Sequence, residues 1–494
     1  MFTSIFLSFL LLGSCNLQRD EPEKPNIIFI AIDDMNDWTG FLNGHPQAIT
    51  PNMDKMAQQG VNFTNAHCIA PACGPSRNAL LFGIEPHRSG LYPFYNQMKM
   101  DQTLLNQFTS LPQFFKESGY ATYGSGKIHH GREWTFIKDS GKREWTENNQ
   151  NIIDALPALV FNYKEGFGVG GKMAFCPTDS PLEHHPDYVT AQFGMDILKR
   201  DHDKPFFLAL GFVKPHLPFV CPKEYFDLYP DPILPPAIKG DDLVDIPWAG
   251  RSNAKIGDDL KYRQDDKWQK VHRSYLACNS WTDANIGRVM DKLNNSEYKD
   301  NTIIVLWSDH GYHQGEKRSF RKFSLWEEAT RVPFIIIDPR NEYKGNCKEA
   351  VSLQDIYPTL TAMAGLEKPD YVGGENLQPW LDDPTKTKKS PAMITWGRGN
   401  YSIRNRDWRY NRYFDDSEEL YHNSSDPQEW SNLALDPVYA SIKNEMISWL
   451  PKTEVALVQK GKALHNIVDA DQISLEKFKT NWSRINNKIS PRLE

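Results

Sequence analysis

The sequence has no excess of positive charge. It carries 56 Lys and Arg against 63 Asp and Glu, which gives a formal net charge of −7. Nucleic-acid-binding proteins are usually basic, so this balance argues against that class, although a locally basic pocket is compatible with it. No internal repeat is present. The 494 residues exceed the ~100–200 of an average domain, which favours one large and one small domain.

Cysteines are few and irregularly spaced. Seven occur, at positions 15, 68, 73, 176, 221, 278 and 347. A set of this kind is not a disulfide scaffold, and the sequence assigns no pairing. Two of the seven, Cys15 and Cys73, lie in motifs that predict covalent modification instead.

The first eighteen residues carry no charged side chain, and residues 2–12 are mostly apolar. This run is shorter than the ~20 apolar residues of a spanning helix, so it predicts an export signal. Residues 12–15 (Leu-Gly-Ser-Cys) resemble a lipobox, in which Cys15 would become the lipidated first residue of a bacterial lipoprotein. Since the segment lacks Lys and Arg, lipidation and simple cleavage both stay open. We expect an exported protein, periplasmic or anchored through a lipid, with residues 16–25 as a tether.

Continuous apolar runs alternate with helical patterns from residue 26 onward. Residues 26–32, 205–212, 302–308 and 333–337 predict buried strands, and residues 54–59, 105–117, 185–200 and 274–293 predict helices. Alternation of this kind is typical of an α/β fold with a doubly wound, mainly parallel sheet.

The amino-acid composition changes near residue 380. A polar, Lys-rich stretch through residue 390 predicts a linker between a large domain (26–380) and a C-terminal subdomain (391–494). Residues 393–395, 401–404 and 408–414 predict short antiparallel strands. Residues 437–450 predict a helix, and the polar tail from residue 453 predicts a second one on the surface.

Two acidic clusters follow predicted strands. Asp33 and Asp34 end the first, and Asp309 with His310 follows the third. Ligands in open α/β sheets gather beyond the carboxyl ends of strands, so we expect the clusters to meet. Converging carboxylates repel unless a cation neutralises them, and oxygen-rich sites of irregular geometry favour Ca²⁺ over Mg²⁺. A helix cap with a solvated charge is the alternative for the pair Asp33 and Asp34 taken alone.

Residues 73–77 form the motif Cys-Gly-Pro-Ser-Arg. For an isolated cysteine, burial beside a turn proline is the ordinary explanation. The motif nevertheless resembles the signature of type I sulfatases, in which a maturation enzyme oxidises the cysteine to formylglycine. The resemblance implies that one hydroxyl of the hydrated aldehyde attacks sulfur, and that sulfate leaves as the aldehyde re-forms. It also implies that Cys73 completes the metal shell and that Arg77 holds the diol.

Basic residues in three further segments match the same family. The segment 126–131 resembles Gly-Lys-x-His, with Lys127 contacting sulfate and either His129 or His130 contacting the diol; the iduronate-sulfatase spacing favours His130. The segment 214–219 offers His216 as general acid, since its pKa lies near neutrality, and Lys214 as a contact to sulfate or to a substrate carboxylate. Thirteen residues after Asp309, Lys322 is expected on sulfate, with Arg321 as the weaker alternative.

The resemblance covers nearly the whole mature chain. Residues 50–54, 63–66, 355–359 and 419–421 match framework segments, and residues 211–230 and 309–333 look most like iduronate-2-sulfatase. The implied fold is alkaline-phosphatase-like, and the implied reaction removes sulfate from a carbohydrate such as ulvan or a glycosaminoglycan fragment. One or two arginines near the start of the C-terminal domain are expected to bind a sugar carboxylate; the candidates are Arg398, Arg404, Arg406, Arg409 and Arg412.

Two other functions are compatible with parts of the pattern. A phosphate-ester hydrolase of the alkaline phosphatase superfamily would usually keep Ser or Thr as nucleophile and bind two zinc ions through more histidines. A non-catalytic glycan-binding lipoprotein would leave Cys73 unmodified. The cysteine-type motif and the single acidic cluster argue against both.

Overall fold

The structure is a computed structural model. It describes residues 24–92, 107–130, 143–149, 156–161, 166–167, 173–254, 256–264 and 267–457. The predicted export signal, Cys15, nearly all of the tether and most of the predicted C-terminal helix lie outside these ranges. Within them, no helix has the length and apolarity needed to cross a membrane.

Nineteen strands lie within the described residues. In chain order they are β1 Asn26–Asp33, β2 Val61–Phe63, β3 Ala66–His67, β4 Ala121–Gly126, β5 Glu147–Asn149, β6 Gly166–Phe167, β7 Met173–Thr178, β8 Phe206–Pro215, β9 Phe219–Pro222, β10 Thr302–Ser308, β11 His313–Gln314, β12 Phe320–Arg321, β13 Phe334–Ile337, β14 Gly345–Cys347, β15 Val351–Ser352, β16 Ala392–Thr395, β17 Tyr401–Arg404, β18 Trp408–Arg412 and β19 Glu418–His422.

The central sheet has eight strands in the order β14-β2-β13-β10-β1-β8-β4-β5. Strand β13 is antiparallel to both of its neighbours, and every other pair in the sheet is parallel. The predicted mainly parallel sheet is confirmed. The exception has a topological cause, because the chain leaving β10 stays at the carboxyl edge and enters β13 from there.

Strand β1 lies in the middle of the sheet and is buried along its whole length. Ile27, Phe29 and Ala31 pack into one hydrophobic core, and the alternate residues Ile28, Ile30 and Ile32 pack into a second core on the opposite face. Strands buried on both faces read as continuous apolar runs, which is why these residues predicted a strand so clearly.

The described α-helices are α1 Pro51–Gln59, α2 Cys73–Phe82, α3 Pro86–Ser89, α4 Leu111–Glu117, α5 Pro186–Ile197, α6 Lys223–Asp227, α7 Trp248–Arg251, α8 Ile256–Gln264, α9 Trp268–Asn294, α10 Glu327–Thr330, α11 Ile356–Met363, α12 Gln378–Asp382 and α13 Ala440–Ile447. Short 3₁₀ helices lie at Leu182–His184, Lys299–Asn301, Glu316–Arg318, Leu353–Asp355 and Pro437–Tyr439.

The predicted helix over 105–117 is wrong as one continuous element. Residues 108–110 are not helical, and α4 begins at Leu111 with Ser110 as its N-cap, whose hydroxyl accepts a hydrogen bond from the Gln113 amide. The cause is Pro112, which has no N–H and fits only the first turn of a helix.

The C-terminal sheet is antiparallel in the order β16-β17-β18-β19. Its first three strands were predicted, whereas β19 was recognised only as a framework segment. The predicted helix over 437–450 is a 3₁₀ turn followed by α13.

Candidate active site

The two acidic clusters meet at the carboxyl edge of the sheet. Strands β1 and β10 are parallel neighbours with Ile32 opposite Ser308, so Asp33, Asp34 and Asp309 leave the sheet side by side. The Asp34 amide lies 3.2 Å from Asp309 Oδ1. All three carboxylates are buried. Their predicted convergence is therefore observed.

Positive charge around the two aspartates keeps them ionised. Burial by itself would raise the pKa of Asp33, but Lys127, His216 and Arg77 hold it well below its usual value. Burial also opposes the shift at Asp34, where His216 and Lys322 lower the pKa to about 2. Buried carboxylates of this kind need compensating cations, and the neighbouring lysines supply part of that charge.

Cys73 is the first residue of α2 and is 1% exposed. Its Sγ lies 3.2 Å from His310 Nε2, 3.2 Å from Lys322 Nζ and 3.8 Å from Asp34 Oδ1. The cysteine of the motif is therefore placed directly against the acidic clusters. Burial raises the pKa of this thiol well above its ordinary value.

Arg77 follows one turn later on α2, as predicted, and is fully buried. Its Nε donates to Asp309 Oδ2 at 2.7 Å, and its Nη2 lies 3.5 Å from Asp33 Oδ1. Its Nη1 donates to the carbonyls of Lys127 and Ile128. Arg77 thus joins both acidic clusters to the segment that carries Lys127.

The donor set fits a divalent cation. Asp33, Asp34, Cys73 and His310 are buried, and each offers a ligand atom within 4.8 Å of the others. The Nδ1–H of His310 donates to the Gly311 carbonyl, so its unprotonated Nε2 faces Asp34 Oδ1 at 3.2 Å. Asp309 Oδ1 lies 3.5 Å from the same nitrogen. A cation between these lone pairs would satisfy all of them.

The two adjacent histidines point to different partners. His129 Nε2 lies 3.0 Å from Glu144 Oε2 in a pair that is nearly without exposure. By contrast, burial, Lys127 and Asp33 are the leading influences on the pKa of His130, which is lowered well below its usual value. Lys127 itself contacts Asp33 through its ammonium. This arrangement favours His130 as the site histidine, and the assignment stays a prediction.

His216 faces the site from the turn between β8 and β9. Its Nδ1 donates to the Leu217 carbonyl, which leaves Nε2 directed at Asp34 Oδ2, 3.9 Å away. Burial lowers the pKa of His216, against the opposing influence of Asp34 and Asp33. The ammonium of Lys214 is turned away from this position and donates to the carbonyls of His216 and Pro218.

Lys322 and Arg321 diverge. The Lys322 ammonium contacts Asp34 and Cys73, and Asp34 raises its pKa although burial lowers it. The Arg321 guanidinium instead pairs with Asp258 at 2.6 Å. Of these two neighbouring basic residues, only Lys322 lies at the site.

The five C-terminal arginines all have carboxylate partners. Arg409 is fully buried between Glu327 and Glu429, so it has no surface to offer a substrate. Arg404 also pairs with Glu327 and is 5% exposed. The remaining pairs are Arg398 with Glu454, Arg406 with Glu349 and Arg412 with Asp416. Arg404 and Arg406 line a cavity of about 620 Å³ that none of the predicted catalytic residues lines.

Several residues that support the site carried no usable signal in the sequence. Glu144 holds His129 and accepts a hydrogen bond from the Ser110 hydroxyl, and no motif surrounds it. The Tyr275 hydroxyl, from the first half of α9, donates to the Asp34 carbonyl at 2.7 Å. Only the three-dimensional fold brings these groups to the motif residues.

Comparison with known proteins agrees with this geometry. Residues 25–366 match the family model "Sulfatase", and residues 315–456 match "N-sulphoglucosamine sulphohydrolase, C-terminal". A sulfatase of Formosa agariphila is 36% identical over 477 residues, covering 90% of this chain and 92% of its own length. The iduronate 2-sulfatase of Mus musculus is 27% identical, covering 89% of this chain and 98% of its own.

The fold has solved counterparts as well. The structure of a 2-O GAG sulfatase superposes with a TM-score of 0.67 at 22% identity, covering 87% of this chain and 91% of the other. This likeness confirms the predicted fold. The family match spans more than half of the chain and includes every residue of the candidate site. The chain therefore belongs to the sulfatase family and is a sulfuric ester hydrolase.

Proposed function

We propose that this protein removes sulfate from a uronate-containing carbohydrate, with Cys73 converted to formylglycine and one Ca²⁺ bound beside it. The observation that carries the proposal is the position of Cys73 Sγ, 3.2 Å from both His310 Nε2 and Lys322 Nζ. A residue at this position contacts the candidate metal ligands and a cation that can bind a sulfate oxygen.

The unmodified thiol is a poor candidate for the nucleophile. Thiolates attack and thiols do not, and burial raises the pKa of Cys73. Asp33 raises it further. Formylglycine would supply a hydroxyl of the hydrated aldehyde as nucleophile and would release sulfate by C–O cleavage.

The ion, when bound, would polarise the sulfate oxygens and lower the pKa of the attacking hydroxyl. The protein's own residues do the rest. The ammonium groups of Lys127 and Lys322 bind the sulfate oxygens and stabilise the charge that builds up as the ester breaks. Arg77 keeps Asp309 and Asp33 in place, because its guanidinium contacts both.

Burial lowers the pKa of His216, but Asp34 and Asp33 favour its imidazolium form, and in that form His216 protonates the leaving group. As the sulfur–oxygen bond breaks, its electron pair moves to the bridging oxygen, which takes the proton from Nε2 and departs as an alcohol. The imidazole is left neutral, with Nδ1–H still donating to the Leu217 carbonyl. A sugar alkoxide is a strong base, so it gains more from this proton than a phenolate would.

The similarity to iduronate 2-sulfatase supports uronate-containing chains, such as ulvan or glycosaminoglycan fragments, as the substrate class. We also propose that the protein is exported, that Cys15 carries a lipid in a bacterial envelope, and that a formylglycine-generating enzyme matures it. The uncharged apolar segment 2–12 supports export, the lipobox-like residues 12–15 support the lipid, and the motif at 73–77 supports the maturation.

Mass spectrometry of the peptide that spans Cys73, from protein made in its native host, tests the modification. We expect the mass of CHO in place of CH₂SH, and an unaltered thiol would contradict the mechanism. A calcium chelator should abolish turnover, and added Ca²⁺ should restore it. Zn²⁺ restoring activity better than Ca²⁺ would contradict the assigned ion.

Turnover on 4-nitrophenyl sulfate, 4-nitrophenyl phosphate and a panel of sulfated uronate oligosaccharides tests the substrate class. We expect sulfate to exceed phosphate, and desulfation of at least one oligosaccharide. Cys73→Ala should abolish turnover, by at least about 10³-fold, without changing the circular dichroism spectrum. A preference for phosphate would favour a phosphoester hydrolase instead.

A further inference from the structure

The Lys214 side chain lies beside the site without entering it. The residue is 7% exposed, and its Nζ donates to the His216 carbonyl at 2.9 Å and to the Pro218 carbonyl at 2.5 Å. The ammonium therefore closes a ring across the turn between β8 and β9 that carries His216. Hydrogen bonds from an ammonium to carbonyl oxygens are charge-assisted and stronger than neutral ones.

This ring surrounds the peptide group that orients the His216 imidazole. Nδ1 of His216 donates to the Leu217 carbonyl at 2.6 Å, and that carbonyl lies between the two that Lys214 holds. Fixing the carbonyls of His216 and Pro218 fixes the peptide planes on both sides of Leu217. The Leu217 carbonyl then sets both the tautomer and the direction of Nε2.

The start of the turn is anchored from two helices. Asp187, on α5, accepts hydrogen bonds from the amides of Val213 at 2.6 Å and Lys214 at 3.0 Å. Thr282, on α9, donates its hydroxyl to the Lys214 carbonyl at 2.9 Å. The backbone of Lys214 is thus fixed to the helices that cover the sheet, and its ammonium extends that constraint over the next four residues.

We propose that Lys214 is a positioning residue, which holds the turn so that His216 Nε2 faces the leaving-group oxygen. This inference rests on the proposed function, since it deepens the role given to His216. It replaces the expected contact between Lys214 and substrate, because the ammonium donates to two backbone carbonyls of the adjacent turn.

Leaving-group dependence distinguishes positioning from a purely structural role. A nitrophenolate leaves without a proton, whereas a sugar alkoxide needs one, so misplacement of His216 should slow sugar sulfates selectively. We compare kcat/KM on 4-nitrophenyl sulfate with kcat/KM on the sulfated disaccharide that the wild type desulfates fastest. Lys214→Met keeps the length of the side chain and removes its donors.

Lys214→Met should lower kcat/KM on the disaccharide by about 10- to 100-fold, as is usual for the loss of a supporting residue, with KM little changed. On 4-nitrophenyl sulfate the loss should stay under about threefold. Lys214→Arg, which keeps a donor, should recover most of the disaccharide activity. In a His216→Ala background, Lys214→Met should add less than about twofold, because the two residues act as one unit.

Lys388→Met is the matched control. Lys388 also has a buried side chain whose ammonium donates to a carbonyl two residues along its own segment, that of Ser390 at 2.8 Å, in the linker before the C-terminal sheet. This substitution should leave the ratio of the two activities unchanged.

Equal losses on both substrates for Lys214→Met, or a rise in KM for the disaccharide with kcat unchanged, would overturn the proposal. If Lys214→Met does not fold, Thr282→Val removes one anchor at constant shape and should shift the ratio in the same direction, by about threefold. An unchanged ratio there would also overturn it. A wild type that cleaves neither sulfate would instead contradict the proposed function.

Discussion

Two histidines that are adjacent in the sequence have different surroundings, and we expect different roles for them. His129 makes a buried pair with Glu144, while His130 lies among the cations and carboxylates of the site. We expect His129→Ala to lower the free energy of unfolding by about 3 kcal/mol, because it removes one member of a buried His–Glu pair. His130→Ala should instead lower kcat by about 10²-fold or more while changing stability little.

Chemical denaturation and steady-state kinetics on both histidine variants measure these effects. Activity is normalised to the folded fraction, so that a loss of stability is not counted as a loss of turnover. The reverse pattern, with His130→Ala unstable and His129→Ala inactive when folded, would assign the site histidine to position 129.

Glu316 is a buried acid outside the site. It is 8% exposed, its Oε2 accepts a hydrogen bond from the Gln314 amide at 2.6 Å, and burial raises its pKa to about 7. A folded-state pKa above the unfolded value means that ionisation destabilises the folded protein. This cost is absent below the unfolded pKa of ~4.3 and is complete above the folded one.

Glu316→Gln keeps the accepting oxygen and removes the charge. The variant should be more stable than wild type by about 2–3 kcal/mol near pH 8, and nearly equal to it near pH 4.5. Urea denaturation at the two pH values measures this, and the exposed Glu367→Gln should show no difference at either. A stability gain that is the same at both pH values would contradict the prediction.

At the scale of elements, helix α1 takes its N-terminal cap from another helix. Asp283, on α9, accepts hydrogen bonds from the Asn52 and Met53 amides at 3.2 and 2.7 Å, whereas the Thr50 side chain caps neither. Asp283→Ala should lower the free energy of unfolding by about 2–3 kcal/mol, because the buried Met53 amide and the part-buried Asn52 amide lose their acceptor.

Thermal and urea unfolding of Asp283→Ala measure the value of this cap. Asp291→Ala, at an exposed position on the same helix, should change stability by less than about 0.5 kcal/mol. A loss for Asp283→Ala no greater than that of the control would show that α1 does not depend on the cap.

The elements that the sequence predicted best are those whose burial is uniform. Strand β1 contributes side chains to both hydrophobic cores, so its sequence is an unbroken apolar run, and its bounds were predicted to within one residue. Strand β19 is only five residues long and begins with two glutamates, so it lacks a continuous apolar run and was missed. Helix α1 was placed three residues late, because its start depends on Pro51 and on a distant Asp283 rather than on local periodicity.

The residues of the site come from segments that lie far apart in the chain and that the whole fold brings together. The motifs identified its members because each follows a strand or begins a helix at one edge of the sheet, as with Asp33, Cys73 and Asp309. The direction of each side chain could not be predicted. Lys214 lies at the end of β8 and Lys322 directly follows β12, yet one ammonium is turned into its own backbone and the other reaches Cys73.

The directions of the C-terminal arginine side chains could not be predicted either. These arginines were expected to bind substrate because they cluster near the start of the C-terminal domain. Arg409 joins the C-terminal sheet to the catalytic domain, since it pairs with Glu327 of α10 and donates to the Leu325 carbonyl. Arg406, three residues earlier, has a half-exposed side chain that pairs with Glu349. Arg409 therefore attaches the C-terminal sheet to the catalytic domain, whereas Arg406 forms an ion pair that is partly exposed to solvent.

Arg409→Met should lower the free energy of unfolding by about 3–5 kcal/mol, because Glu429 and Glu327 stay buried without this partner. Arg406→Met should cost less than about 1 kcal/mol, as is usual for an exposed pair. Urea denaturation of both variants gives these values, and kcat/KM of the folded fraction gives the second readout. If Arg409→Met is stable but binds uronate oligosaccharides more weakly, Arg409 contacts substrate, and the attachment between the sheet and the catalytic domain must be provided by other residues.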